Sequence, residues 1–554
     1  MDSEIPASDQ LDARNPSRAP RSARAGDFMI PAVFLLLYLS QCIWFLRTQS
    51  LTYDEPVHIV EGLDAWRHGR FEQYNDHPPL ARLWCTLPLI SDKWEINLQP
   101  LDDGFTVASM APDPESLAWR GRIMNVLLGL ALGFLVWLAA KRLFSSAAAN
   151  FALALYAFSP ALIAHFSLVT TDGAAALFIF AAAWQLLLWK EDPTWRRALI
   201  FGLVLGLLLL AKYSTLPMFV LAVLWMLILR PDSHFNPLKW NWGKTAVACI
   251  LALCLVWAGY FFHVSHLSVH DGTLTATFPN WQGPLVKPVH SPDYSILVPA
   301  GEFIQGFREV LRHNRHGQAA FFLGRVSATG GWKLYYPVTL LLKWPVIVLL
   351  LSLCGLVLGF RRKLPAALWI MLSFPALYFA LAIFARFNLG ERHILPLYPF
   401  ALLLAAAVWE SARRRRLLLL LSVLAGLNAA DALRFAPGYL SYFTPVVRPS
   451  TSFHLLTDSN LDWGQGLIAL RSYERRHPGE KLWLAYFGSV NPALYGIRAT
   501  PLPEGQRVTG TVVVSATHLS GQFLSDPNAY HWLLRHSPAQ VLDQSLFVYK
   551  VAPE

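Results

Sequence analysis

At 554 residues, 54 % of them hydrophobic and 15 % charged, the chain is too apolar for an ordinary soluble domain. The net charge of +10 sits in loop arginines, not in a basic stripe interleaved with aromatics, which argues against a nucleic-acid partner and for topology and membrane-lipid contact. Apolar runs of about 20 residues recur, the length of a spanning helix, so the sequence predicts a mostly α, polytopic membrane protein.

The segment 1–27 is polar and carries Arg14, Arg18, Arg21 and Arg24, with no small-residue cleavage site after the apolar run that follows. That run is therefore expected to stay as a helix behind a cytoplasmic tail. About eleven spans are expected, near 28–46, 122–140, 147–164, 168–189, 197–211, 214–229, 245–263, 337–359, 365–385, 394–410 and 416–433. Lys141-Arg142, Lys190 with Arg196-Arg197, Arg230 with Lys239 and Lys244, Arg361-Arg362-Lys363, and 413–416 fall in alternate loops. Basic loops stay cytoplasmic, which predicts an inner-membrane protein with loops 47–121 and 264–336 and the segment 449–554 outside.

Both long outer loops have predicted content. A helix from Asp54-Glu55-Pro56 carries Val57, Val60, Leu63 and Trp66 as a stripe expected to lie in the interface. Tyr74-Asn75-Asp76-His77-Pro78-Pro79-Leu80 reads as a rigid turn, and 300–314 as a second surface helix. Strands over 482–487, 510–515 and 546–551 and helices over 467–476 and 529–535 predict a small α/β domain. The polar run 458–465 begins like a calcium loop but has Trp463 and Ala469 at its sixth and twelfth positions, so it is expected to be a solvated turn. Five cysteines give neither a disulfide frame nor zinc spacing.

Charged groups at span ends carry the functional signal, because they are costly in hydrocarbon. Asp54 reads either as a helix N-cap or as a general base, with Glu55 orienting it. Asp172, behind Thr170-Thr171, reads as a helix-dipole acid or as a second site acid. Lys212, Arg386, Arg392 and His393 read as snorkelling cations or as a phosphate clamp, and their density between 386 and 393 favours the clamp. Asp76 and His77 form a first-loop candidate for an anion or a metal, against a plain turn; no metal set is spelled out.

Tyr53-Asp54-Glu55, His77-Pro78-Pro79-Leu80, Thr171-Asp172-Gly173, Leu342-Lys343, Gly390-Glu391-Arg392-His393 and the 458–465 run together resemble the GT-C superfamily of integral-membrane glycosyltransferases. The closest likeness is to bacterial family-39-like and protein O-mannosyltransferase-like enzymes, with the lipid A aminoarabinose transferase as a cousin. The resemblance implies a GT-C-type bundle over 28–435 with external loops 47–121 and 264–336, and an extracytoplasmic α/β domain over 449–554. It implies a polyprenyl-phosphate-linked sugar donor, inverting displacement on the outer face, Asp54 as base, Asp172 as second acid, and Arg392 and His393 on the phosphate. The acceptor (protein, lipid or glycan) and any need for a divalent cation stay open. The rival expectations are a transporter or flippase of lipid-linked sugars, which would put ionisable groups mid-span and pair broken helices, and a non-catalytic assembly partner.

Overall fold

The computed structural model describes residues 28–71, 76–101, 104–111, 113–229, 242–281, 283–362 and 366–553. The tail 1–27, turn residues Tyr74 and Asn75, and the basic residues Arg230, Lys239 and Lys363 lie outside the described residues. Among those described, seven helices have the length and hydropathy to cross a bilayer, or up to nine if two bent pairs each count as one. Two further apolar segments form helices of 17 residues, Trp195–Ala211, and 13 residues, Leu216–Ile228. The bends replace the straight spans expected over 147–164 and 337–359. Ser146–Ala157 and Pro160–Phe166 meet at 64°, and Tyr335–Lys343 and Val346–Arg361 at 116°. Pro160 and Pro345 remove an amide donor there and disfavour helical geometry in the residue before them.

The helices sort into an inside and an outside. Asp172–Glu191 and Glu391–Ser411 are 83 % and 72 % buried, while Met29–Thr48 and Arg415–Leu433 are 33 % and 17 % buried. Leu36, Leu253, Leu353 and Val423 on the outer helices are exposed, the kind of surface that lipid covers. Close approach uses small residues: a Cβ on Gly202 or Gly206 would lie 2.8 Å from the Ala248 carbonyl oxygen or from Leu255.

The basic helix ends gather at one end of the bundle, where Arg142 pairs with Glu191 (3.0 Å) and Ser145 Oγ donates to Glu410 (2.6 Å). The other end carries the loop elements. Pro114–Leu143 is N-capped by Asp113 and has Lys141 and Arg142 in its last turn. Its 30 residues span about 45 Å, more than the ~30 Å of hydrocarbon, so its first turns with Arg122 rise to the loop end.

At that end, Glu55–His68 and Leu80–Thr86 pack beneath a hairpin of Glu95–Leu101 and Gly104–Ala111. The stripe on Glu55–His68 does not lie in lipid as expected. Val57, Ile59 and Leu63 are buried, Ile59 and Leu63 in one cluster with Leu51, Cys85, Leu89 and Trp94. The second loop folds as a four-stranded antiparallel sheet, in the order Leu285–Pro288, Thr273–Thr277, Val264–His270, Tyr294–Pro299, before the helix Gly301–His316. That sheet was not legible in the sequence.

The C-terminal sheet has five strands in the order Thr500–Pro501, Leu482–Ala485, Gly510–Ser515, Leu546–Val551, Gln540–Leu542. Its first two junctions are parallel and the rest antiparallel. The helix expected over 529–535 is a 3-10 turn, His531–Arg535. The 458–465 run is not a solvated turn, since every residue of it is buried. Its polar groups are satisfied inside the protein: Asp462 accepts from the Thr517 and Gly464 amides, and Gln465 bonds Leu461 and Trp463.

Candidate active site

The chain turns sharply into Glu55–His68, and Asp54 sits at the helix N-cap without making a capping bond. Its carboxylate accepts instead from Arg392 Nη1 (2.8 Å) and is 31 % exposed. Adjacent Glu55 points inward and is fully buried. Arg122 grips it with Nε and Nη2 (2.8 and 2.6 Å), and the Thr52 and Val169 amides donate to the same carboxylate (2.8 and 2.9 Å). Arg122 also donates to the carbonyls of Leu46, Gln49 and Ser50. The two neighbouring acids thus separate: Glu55 fixes the turn, and Asp54 remains accessible.

Asp172 opens the inner helix Asp172–Glu191 with 2 % of its side chain exposed. Lys212 Nζ donates to one of its oxygens (2.5 Å), and Arg392 Nη1 lies 3.9 Å from the other. The Arg392 guanidinium stacks 4.1 Å from the Trp463 ring, and its Nε finds no acceptor. Arg392 therefore links Asp54, Asp172 and the 458–465 run, segments far apart in sequence.

The turn that presents Arg392 is held from two sides. Gly390 has φ of 122°, a left-handed conformation that glycine takes without a Cβ penalty. The Glu391 amide donates to Asn460 Oδ1 (3.0 Å), and buried Lys343 lies 3.3 Å from Glu391 while donating to the Leu440 and Asn460 carbonyls.

These groups face a cavity of about 240 Å³ whose lining includes Asp54, Lys212, Tyr213, Arg392 and His393. Asp76, His77, His58 and Arg82 also line it, as do Phe105 and His313. Arg82 binds Asp76 (3.0 Å) and donates through Nε to His58 Nδ1 (3.2 Å), and His77 Nδ1 lies 3.0 Å from Asp76. Burial, with the Arg82 charge beside it, holds the His58 imidazole well below its ordinary pKa, so it is the neutral acceptor. Burial pushes Glu61, behind Arg82, up to about 8 against the pull of that guanidinium. Burial raises Asp458 to about 7, with Arg392 pulling it down and Asp54 pushing it up.

Of the residues singled out by sequence, Asp54, Asp76, His77, Lys212, Arg392 and His393 line the cavity, and Asp172 stands behind two of its cations. Arg386 does not join them. It is exposed, with its amide on Asn314 Oδ1 (2.9 Å) and its guanidinium on the Arg315 carbonyl (2.7 Å). His58, Arg82 and His313 were missed. His58 was legible in principle, because it lies one helical turn after Asp54. Among the described residues, one set could place three ligands on a single metal ion: exposed His270, Asp271 and Asp293, on the 264–299 sheet.

Residues 115–260 match the family model described as dolichyl-phosphate-mannose-protein mannosyltransferase. No curated protein matches the chain. Solved structures with a similar course include the S. cerevisiae protein O-mannosyltransferase Pmt1-Pmt2 complex bound to the sugar donor, at 10 % identity over 76 % of this chain and 90 % of the other, TM-score 0.49. ArnT from Cupriavidus metallidurans bound to undecaprenyl phosphate aligns at 13 % identity over 96 % and 100 %, TM-score 0.44. The oligosaccharyltransferase AglB from Archaeoglobus fulgidus, with an inhibitory peptide and a dolichol-phosphate, aligns at 10 % identity over 89 % and 69 %, TM-score 0.43. The matched segment, about a quarter of the chain, carries Arg122, Asp172 and Lys212, so the chain is similar to that mannosyltransferase family over the helices that hold these three residues.

Proposed function

We propose that this protein transfers a sugar from a polyprenyl-phosphate carrier to an acceptor at the outer membrane surface, with inversion at the anomeric carbon. One observation carries the reading: an accessible acid, Asp54, shares a single cavity with Lys212, Arg392 and His393 at the loop end of a membrane bundle. The carrier's tail stays in lipid while its phosphate enters that cavity. The acceptor's O–H or N–H gives its proton to Asp54 as the heteroatom bonds to the anomeric carbon. The carbon–oxygen bond to phosphate breaks, and its electron pair leaves with the phosphate. Arg392 and Lys212, with His393 beside them, stabilise the charge appearing there, and Asp172 holds both cations in place. The basic ends gathered opposite the cavity support a cytoplasmic assignment for that end and an extracytoplasmic one for the cavity and for 449–554.

Purified protein supplied with a radiolabelled polyprenyl-phosphate sugar and protein, lipid or glycan acceptors tests the reading. Label should pass to one acceptor class, and Asp54→Asn should lower turnover by at least ~10²-fold. Full turnover by Asp54→Asn would remove the base assignment, and no release of label from the carrier would remove the transferase reading.

A further inference from the structure

The cations of this cavity are already engaged by the protein's own acids. Lys212 is bonded to Asp172 at 2.5 Å and Arg392 to Asp54 at 2.8 Å. With Arg82 on Asp76 (3.0 Å), three cations face three carboxylates and leave no surplus charge for an incoming phosphate. A phosphate is bound more tightly when a cation leaves its acid for it.

The two pairs differ in how readily they part. Asp172 is 2 % exposed, and losing Lys212 would strand a buried carboxylate, which is costly. Asp54 is 31 % exposed and accepts from Arg392 Nη1 at 2.8 Å, so water can replace that partner. The Arg392 Nε–H, buried without an acceptor, is a donor still to be satisfied. Arg392 is also seated on Trp463, which keeps the guanidinium beside the cavity when its acid lets go.

We propose that Arg392 is an exchangeable counter-ion, held by Asp54 in the empty site and surrendered to the carrier phosphate, so that donor binding is what frees the base. The inference rests on the transferase reading and deepens it. The exchange is completed by the chemistry. Asp54 loses its charge on taking the acceptor's proton, in the same step in which the phosphate gains one as its bond to carbon breaks. The acid's hold on Arg392 weakens as the phosphate's strengthens.

Asparagine at position 54 mimics the protonated acid, so the exchange makes a directional prediction that a simple base does not. Full-length protein in nanodiscs is titrated with polyprenyl phosphate, using a fluorescent analogue in competition. Asp54→Asn should bind it roughly tenfold tighter than wild type, the equivalent of one charge-assisted hydrogen bond no longer in competition. Asp54→Glu should return the affinity toward wild type. Equal or weaker binding by an Asp54→Asn protein of unchanged Tm overturns the exchange. Equal tightening toward phosphatidylglycerol overturns the assignment to the carrier phosphate. Sugar transfer by wild type without tightening in Asp54→Asn fails the exchange and leaves the transferase reading standing. Tightening without any transfer by wild type does the reverse.

Discussion

Asp54 and Glu55 are chemically near-identical neighbours with opposite environments. The difference comes from Arg122, 67 positions away, whose buried guanidinium closes on Glu55 and on three carbonyls of the preceding turn. The acidic pair could be read from sequence, but which acid is accessible could not, because that depends on a helix whose start rises out of the bilayer. Glu55→Gln leaves Arg122 buried and facing a neutral amide, and should destabilise the protein by about 3–5 kcal/mol. Thermal unfolding in detergent checks this, and a Glu55→Gln protein as stable as wild type would show that the pair does not hold the turn. Arg386 is the converse case. Its sequence position beside Arg392 favoured the clamp, yet it leaves the cavity because Asn314 and Arg315 bind it first.

At the scale of elements, the site depends on turns more than on helices. The 3-10 turn Glu391–Leu397 precedes the inner helix Tyr398–Ser411, and Gly390 lets the chain enter it with a left-handed backbone. A Cβ there would run into Ser459 Oγ, in the same buried run whose Asn460 caps the Glu391 amide. Gly390→Ala should therefore shift Arg392 off its two acids, and transfer activity should fall at least ~10²-fold, since small misplacements at a reacting centre cost that much. Wild-type activity in this variant would show that the turn is not what positions Arg392. Helix periodicity made the spans legible. The breaks at Pro160 and Pro345 were visible as prolines, but their angles were not, because neighbouring helices set them.

At the scale of the molecule, the C-terminal sheet is joined to the site rather than appended to it. The Ser50 and Tyr53 amides donate to the Gln465 and Trp463 carbonyls (both 2.9 Å), and Ser489 Oγ donates to the Tyr53 carbonyl (2.7 Å). The two ends of the chain also meet where Gln49 Nε2 donates to Asp543 Oδ1 (3.1 Å), while Asp543 Oδ2 has no partner. Burial raises Asp543 to about 7, with Gln49 lowering it and Asp462 raising it. Its folded pKa exceeds the unfolded value near ~4, so its stabilising contribution is complete below that pH and is lost as pH rises through 7. Asp458 and Asp462, at about 7 and about 6, act in the same direction. Asp543→Asn should therefore raise Tm at pH 8 by about 2 °C or more and flatten its fall between pH 4 and 8 without abolishing it. Asparagine also suits the positive φ of 47° at this position. An unchanged Tm–pH profile would mean that Asp543 does not titrate in the folded protein.

The sequence by itself determined what hydropathy and local chemistry encode: a helical membrane bundle, its basic ends, the C-terminal strands and a short roster of acids and cations. These follow from windows of a few to about 20 residues, over which burial in lipid dictates composition. Tertiary structure decided the rest. It buried the polar run at 458–465, took Glu55 and Arg386 out of the cavity, added His58 and Arg82, and set Arg392 between Asp54 and Asp172. A charged side chain's role depends on which partner reaches it first, and here those partners lie from 67 to 338 positions away in the sequence.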